Sequence, residues 1–115
     1  MQFLLMINGD ESARANMSKD ELGKVFEQYM AYTKMLKDGG HFVAGDALQP
    51  EATGARVRVR GGKRTVVDGP FAETKEVLGG YYLVNCETKE QAIELAAKCP
   101  GAAHGTMEVR PVVQY

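Results

Sequence analysis

Residues that carry chemistry by themselves are scarce in this chain: two cysteines, two histidines and no tryptophan among 115 residues. Cys86 and Cys99 stand thirteen residues apart without a second Cys or His at metal-ligand spacing, so free thiols are expected and no metal site is. Imidazoles occur only at His41 and His104, and any histidine-dependent acid–base step has to use one of them. A glycine-rich phosphate loop, a P-loop lysine motif, Cys-x-x-Cys, His-Glu-x-x-His and a nucleophile elbow are all missing, which argues against nucleotide, zinc and Ser-hydrolase mechanisms. Neither sign of charge dominates. With 14 basic and 15 acidic side chains the net charge is -1, and no global field draws nucleic acid or an anionic membrane. Long apolar runs are missing too: the N-terminal Phe3-Leu4-Leu5-Met6-Ile7 is too short for a signal segment and follows no basic residue. A cytoplasmic chain forming a single domain over residues 1–115, without repeats or low-complexity tracts, is expected.

What is present is a regular alternation between strand and helix periodicities. The N-terminal run reads as a first strand. Ser18-Lys19-Asp20-Glu21 is a capping box, in which each terminal residue satisfies a backbone N–H of the other, so a helix is predicted to start there. Leu22, Val25, Phe26, Tyr29, Thr33 and Leu36 then recur at helical spacing as one apolar face, and Gly39-Gly40 ends it. A short extended piece, His41 to Gly45, leads to a polar loop from Asp46 to Gly54. Arg56-Val57-Arg58-Val59-Arg60 alternates strictly, which predicts a strand with valines toward the core and three arginines on the other face. Gly61-Gly62 is a two-residue hairpin turn, and Lys63 to Asp68 returns antiparallel until Gly69-Pro70 closes the strand. Leu78 to Cys86 reads as a further strand. Thr88-Lys89-Glu90-Gln91 starts a second helix, whose Ala92, Ile93, Ala96 and Ala97 are small enough to lie close on a sheet. The last strand, His104 to Val112, has Met107 and Val109 on one side, with His104, Thr106, Glu108 and Arg110 on the other. The order β-α-β-β-β-α-β describes an α+β fold: a ferredoxin-like antiparallel sheet with two helices on one face and an inserted β-hairpin.

The most informative stretch is Asp68-Gly69-Pro70-Phe71-Ala72-Glu73-Thr74-Lys75-Glu76, followed by Gly79-Gly80-Tyr81-Tyr82 and, near the end, Cys99-Pro100-Gly101, His104-Gly105 and Glu108-Val109-Arg110-Pro111. Over almost its whole length the chain resembles the DGPF branch of the YCII-related proteins. The resemblance implies a dimeric α+β barrel, in which two sheets meet face to face and each subunit keeps a pocket. It also implies a regulatory association, since members of this branch are often encoded beside extracytoplasmic-function sigma factors. In the wider group a His on the first helix and a nearby Asp have been proposed as a catalytic pair. This chain carries Gln28 and Tyr29 there, has no His between Ser18 and Gly40, and offers Asp38 as the acidic member.

Several residues are then candidates for a site. Asp68 is either a turn residue capping backbone N–H groups or a carboxylate at a pocket mouth. Glu73, Lys75 and Glu76 either hold their loop as an ion-pair cluster or converge on a ligand. Phe71 either anchors the loop or offers a ligand platform. The arginine face, with Arg58 at its centre, is solvated, answered by Glu108, or taken by an anion; interleaved aromatics and a recognition helix for nucleic acid are missing. His41 is expected to be exposed, and His104, which opens the polar stripe of the last strand, is either an ordinary residue of that stripe or serves a pocket or dimer contact. Tyr29, Tyr32, Tyr81 and Tyr82 are either packing residues or the walls of one cavity.

Three classes of function follow. An enzyme acting on a small metabolite without metal or bound cofactor would take Asp68, Glu73 or His104, and also Asp46, as acid–base groups, with Arg58 or Lys75 as an oxyanion partner. Tyr29, Asp46, Arg58, Phe71, Lys75 and Glu108 are the candidates for substrate contact. A binding or regulatory module would take a small-molecule ligand or a sigma-factor-related protein partner. A homodimer with a vestigial pocket is the third.

Overall fold

The computed structural model describes residues 1–71 and 75–115. Along them run β1 (Gln2–Gly9), α1 (Glu11–Ala15), α2 (Lys19–Asp38), β2 (Phe42–Ala47), β3 (Ala55–Arg60), β4 (Lys63–Asp68), β5 (Val77–Asn85), α3 (Lys89–Ala97) and β6 (Thr106–Pro111), with 3-10 turns at Glu51–Thr53 and Pro100–Ala103. Four strands form an antiparallel sheet in the order β2-β5-β1-β6, and β3 pairs with β4 in a separate two-stranded sheet. With that hairpin set aside, the first and third strands of the sheet lie in its middle, which is the ferredoxin-like order.

Register decides which side chains meet the helices. In β1 and β5, Leu5 stands opposite Tyr82 and Phe3 opposite Val84. These four are buried with Tyr32 and Leu36 of α2 and with Ala92, Leu95 and Ala96 of α3. The Tyr32 hydroxyl donates to the Leu95 carbonyl at 2.7 Å, tying the two helices, while its ring meets that of Tyr82 edge-on at 5.2 Å. The helices therefore cover one face of the sheet only.

The local signals work as their chemistry requires. Ser18 Oγ accepts the Glu21 N–H, and Glu21 Oε1 accepts the Ser18 N–H, both at 3.1 Å. At the second box, Thr88 Oγ1 accepts from the Gln91 N–H, but the Gln91 side chain reaches one residue further back, to the Glu87 N–H. Gly61 and Gly62 take φ of 55° and 76°, the left-handed pair that a tight hairpin turn needs.

Four expectations are corrected. The valines of β3 do not face the core: Val57 and Val59 are 60% and 58% exposed, because the β3–β4 hairpin stands apart from the helices. Alternation separated its two faces but carried no information about which one would be covered. On α2, Phe26 is 65% exposed and Leu22 is exposed as well, since the apolar stripe is wider than the contact and these two lie beyond its edge. On α3, Leu95 rather than Ile93 joins the core. Finally, α1 was not foreseen; it is a single turn capped by Asp10, whose Oδ1 accepts the Ser12 N–H at 2.9 Å.

Leu36→Ala, which empties a fully buried position, is expected to cost about 3 kcal/mol, and Ser18→Ala, which removes the cap, about 1 kcal/mol, both read from urea denaturation.

Candidate functional site

A hollow of about 1040 Å³ lies between the 3-10 turn at Glu51–Thr53, the root of β3 and the start of β5. Its walls include Leu48, Pro50, Arg56, Phe71, Val77 and Leu78. A smaller hollow of about 330 Å³ beside Asn8, Thr106 and Glu108 shares Glu76 with it, so the two adjoin.

The turn that builds the larger hollow is held by backbone bonds. Leu48 N–H donates to the Gly79 carbonyl at 2.9 Å, which fixes the chain leaving β2. Glu51 is then the hub: its own N–H donates to both carboxylate oxygens of Glu11, and its Oε1 accepts the Phe71 N–H at 2.7 Å. A Cβ on Gly69 would run into the Glu51 carbonyl oxygen, so only glycine lets the Asp68-Gly69-Pro70-Phe71 segment lie this close. The Phe71 ring, half-buried by this clamp, carries the Arg56 guanidinium over its face at 4.3 Å from the ring centre. Phe71 thus anchors the turn, and the face of its ring is taken by Arg56.

The predicted residues fall into separate places. Asp68 ends β4 opposite Ala55, is exposed, and lines neither hollow; the carboxylate that holds this turn belongs to Glu51. Glu73 lies outside the described residues. His104 is not on the last strand but follows the Pro100–Ala103 turn, is exposed, and lines neither hollow. Arg58 lies on the exposed hairpin opposite Thr65, and only the first of the three arginines, Arg56, reaches the hollow. Lys75 is exposed; after the Ser12 hydrogen bonds, its charge helps hold the Asp10 carboxyl below the usual range.

Asp46 and Glu108 share the uncovered face. Asp46 pairs with Tyr81, Tyr81 with Met6, and Met6 with Glu108, so the four form one row across β2, β5, β1 and β6. Three strand spacings separate the two carboxylates, roughly 14 Å, too far for them to act on one bond. The Tyr81 hydroxyl donates to Asp46 Oδ2 at 3.0 Å, and that hydrogen bond raises the tyrosine pKa. Arg110, two residues from Glu108, comes within 4.0 Å of it.

Tyr29 is on the opposite, helix-covered side, so the four tyrosines do not line one cavity: Tyr32 and Tyr82 are core, and Tyr81 faces away from them. Burial, with Cys99 beside it, pushes the Tyr29 hydroxyl up to about 12. Burial likewise raises the Tyr32 hydroxyl and the thiols of Cys86 and Cys99, which keeps both sulfurs protonated and poor as nucleophiles. Among the described residues, no group of three His, Cys, Asp or Glu side chains is arranged to hold a metal ion, and no helix is long and apolar enough to cross a membrane.

The sequence reading missed Glu51 and singled out Arg58 rather than Arg56. Nothing in the spacing marks Glu51, which acts through a contact twenty residues away. Arg56 had a signal: it is the arginine nearest the root of the strand.

A model of the YCII-related domain matches residues 1–115. The chain belongs to the YCII-related family. It is also 33% identical over 117 residues to an uncharacterized protein of Rhizobium meliloti (strain 1021), an alignment that takes in 100% of this chain and 94% of that one. The local hollow rests on the Glu51 clamp.

The raised tyrosines set an alkaline limit. Tyr29 and Tyr32 are neutral when folded and ionise more easily when unfolded, near pH 10, so their contribution is intact below pH 10; that of Tyr29 is lost as pH climbs through about 12, and that of Tyr32, raised further by burial, later. The urea midpoint is expected to fall across that window, and to fall less in Tyr29→Phe.

Proposed function

We propose that this YCII-related protein binds a small organic anion with an apolar body in the Arg56–Phe71 hollow, and that it does so as a homodimer. The observation that carries the proposal is Arg56 held over Phe71 in a hollow whose walls mix apolar side chains with Gln49, Glu51, Thr53 and Glu76. A guanidinium offers planar paired donors that match a carboxylate, and stacking on the ring fixes its plane without using those donors. Leu48, Pro50, Val77 and Leu78 supply shape and desolvation around that charge. The volume is at the upper end of small-molecule sites, on the order of 300–1,000 Å³, and the hollow is open to one side, as suits a site that a second subunit helps to close.

The uncovered sheet face supports the homodimer. Leu4, Met6, Tyr81 and Leu83 line its middle, and a sheet face of this composition is stable when it is set against another layer. Cofactor-independent acid–base chemistry would draw its carboxylate from Glu76, which lines the hollow with Arg56, or from Glu73 three residues earlier in the chain. A bound anion that is never turned over would instead make the protein a sensing or regulatory module, the setting in which a sigma-factor-related partner belongs.

Calorimetric titration with a panel of small carboxylic acids tests the binding. Arg56→Met is expected to weaken the best ligand at least about tenfold, and Arg56→Lys to recover only part of the loss, because lysine keeps the charge but not the plane. Equal affinity of wild type and Arg56→Met for every acid would sink the proposal. Mass spectrometry of the bound acid after incubation separates enzyme from sensor.

A further inference from the structure

We infer that the β3–β4 arm is a docking element for a second copy of this chain. All twelve residues of its two strands are exposed, including Val57, Val59, Val66 and Val67, which stand 52–60% open. A lone two-stranded hairpin is marginal in water and is stabilised when an apolar face packs on something else. In this arm one face carries Val57 opposite Val66 and Val59 opposite Arg64. The other face carries Arg56 opposite Val67, Arg58 opposite Thr65 and Arg60 opposite Lys63.

Charge selects the occupant. Between Ala55 and Asp68 the arm holds five cations, Arg56, Arg58, Arg60, Lys63 and Arg64, against the single carboxylate of Asp68, a net charge of +4. The remaining 101 residues keep nine of the 14 cations and 14 of the 15 carboxylates, a net charge of -5. The body of the same protein therefore carries the net charge opposite to that of this arm. Two copies related by a two-fold axis exchange the contact twice, each arm against the other body, so like-charged arms and like-charged bodies need not meet. A nucleic acid would accept the same cations, but it would leave the valines in water and meet repulsion from the anionic body. A second copy answers both features. The root of the arm, Ala55 and Arg56, is also a wall of the large hollow, so a docked arm sets the partner subunit beside that hollow.

The inference stands apart from the ligand proposal, because it uses the arm's faces and charge alone and is read by mass rather than by titration. Sedimentation equilibrium on the full chain tests it with two variants. V57T/V59T/V66T keeps β-branched side chains in exposed strands, so the arm's conformation is retained while its apolar face is lost. It is expected to raise the dimer dissociation constant by roughly 100-fold, given three methyl-for-hydroxyl exchanges in a buried contact. R58E/R60E is expected to raise it by about tenfold or more at low salt, with the effect shrinking as the screening length falls from about 30 Å at 0.01 M to about 3 Å at 1 M. Circular dichroism confirms that both variants are folded. A dimer that both variants form as tightly as wild type would overturn the docking role and leave the anion site standing. A wild-type monomer that shifts only with a DNA oligonucleotide would overturn it in favour of nucleic acid.

Discussion

The antiparallel pairing of β1 with β5 is the constraint on which the rest of the molecule depends. Because successive side chains of a strand point to opposite faces, the match of Leu5 with Tyr82 and of Met6 with Tyr81 assigns every neighbour to the covered or the uncovered side. A slip by one residue would exchange the two faces: Phe3, Leu5 and Val84 would lose the helices, and Asp46 and Glu108 would be carried beneath them. The sheet is one-sided in chemistry as well as in cover. Apolar side chains and satisfied hydroxyls lie under α2 and α3, whereas the row from Asp46 to Glu108 faces outward.

At the end of that sheet the chain makes a clamp rather than a cleft between domains. Glu51 works in two directions, giving its N–H to Glu11 and taking the N–H of Phe71 with its carboxylate. Glycine at position 69 permits the close approach, Phe71 fills the space beneath, and Arg56 lies over the ring. Each part is ordinary by itself. Together they place an exposed cation over an aromatic ring in the wall of the hollow.

Membership of the YCII-related family does not supply the chemistry, and the matched Rhizobium protein is itself uncharacterized. The resemblance drew attention to the first helix as a place for a catalytic pair. In this chain that helix turns Tyr32 and Leu36 into the core, with Tyr29 half-buried beside Cys99, and its hydroxyl is held neutral by burial. Glu51, Arg56 and Glu76 line the hollow beside the Gly69-Pro70-Phe71 turn instead.

By itself the sequence determined what short-range rules control. The starts of α2 and α3 follow from a hydroxyl three residues before a Glu or Gln, the hairpin follows from Gly61-Gly62, and the α+β order follows from alternating periods of two and three-and-a-half residues. Tertiary structure alone decided which of two equally well-formed faces would be buried. Alternation in Arg56 to Arg60 reads the same whether the valines meet a core or water, and only the position of β3 and β4 outside the main sheet left them exposed. The same holds for the site. Glu51 and Phe71 are twenty residues apart and meet because Gly69 has no side chain, a long-range contact that spacing along the chain does not record.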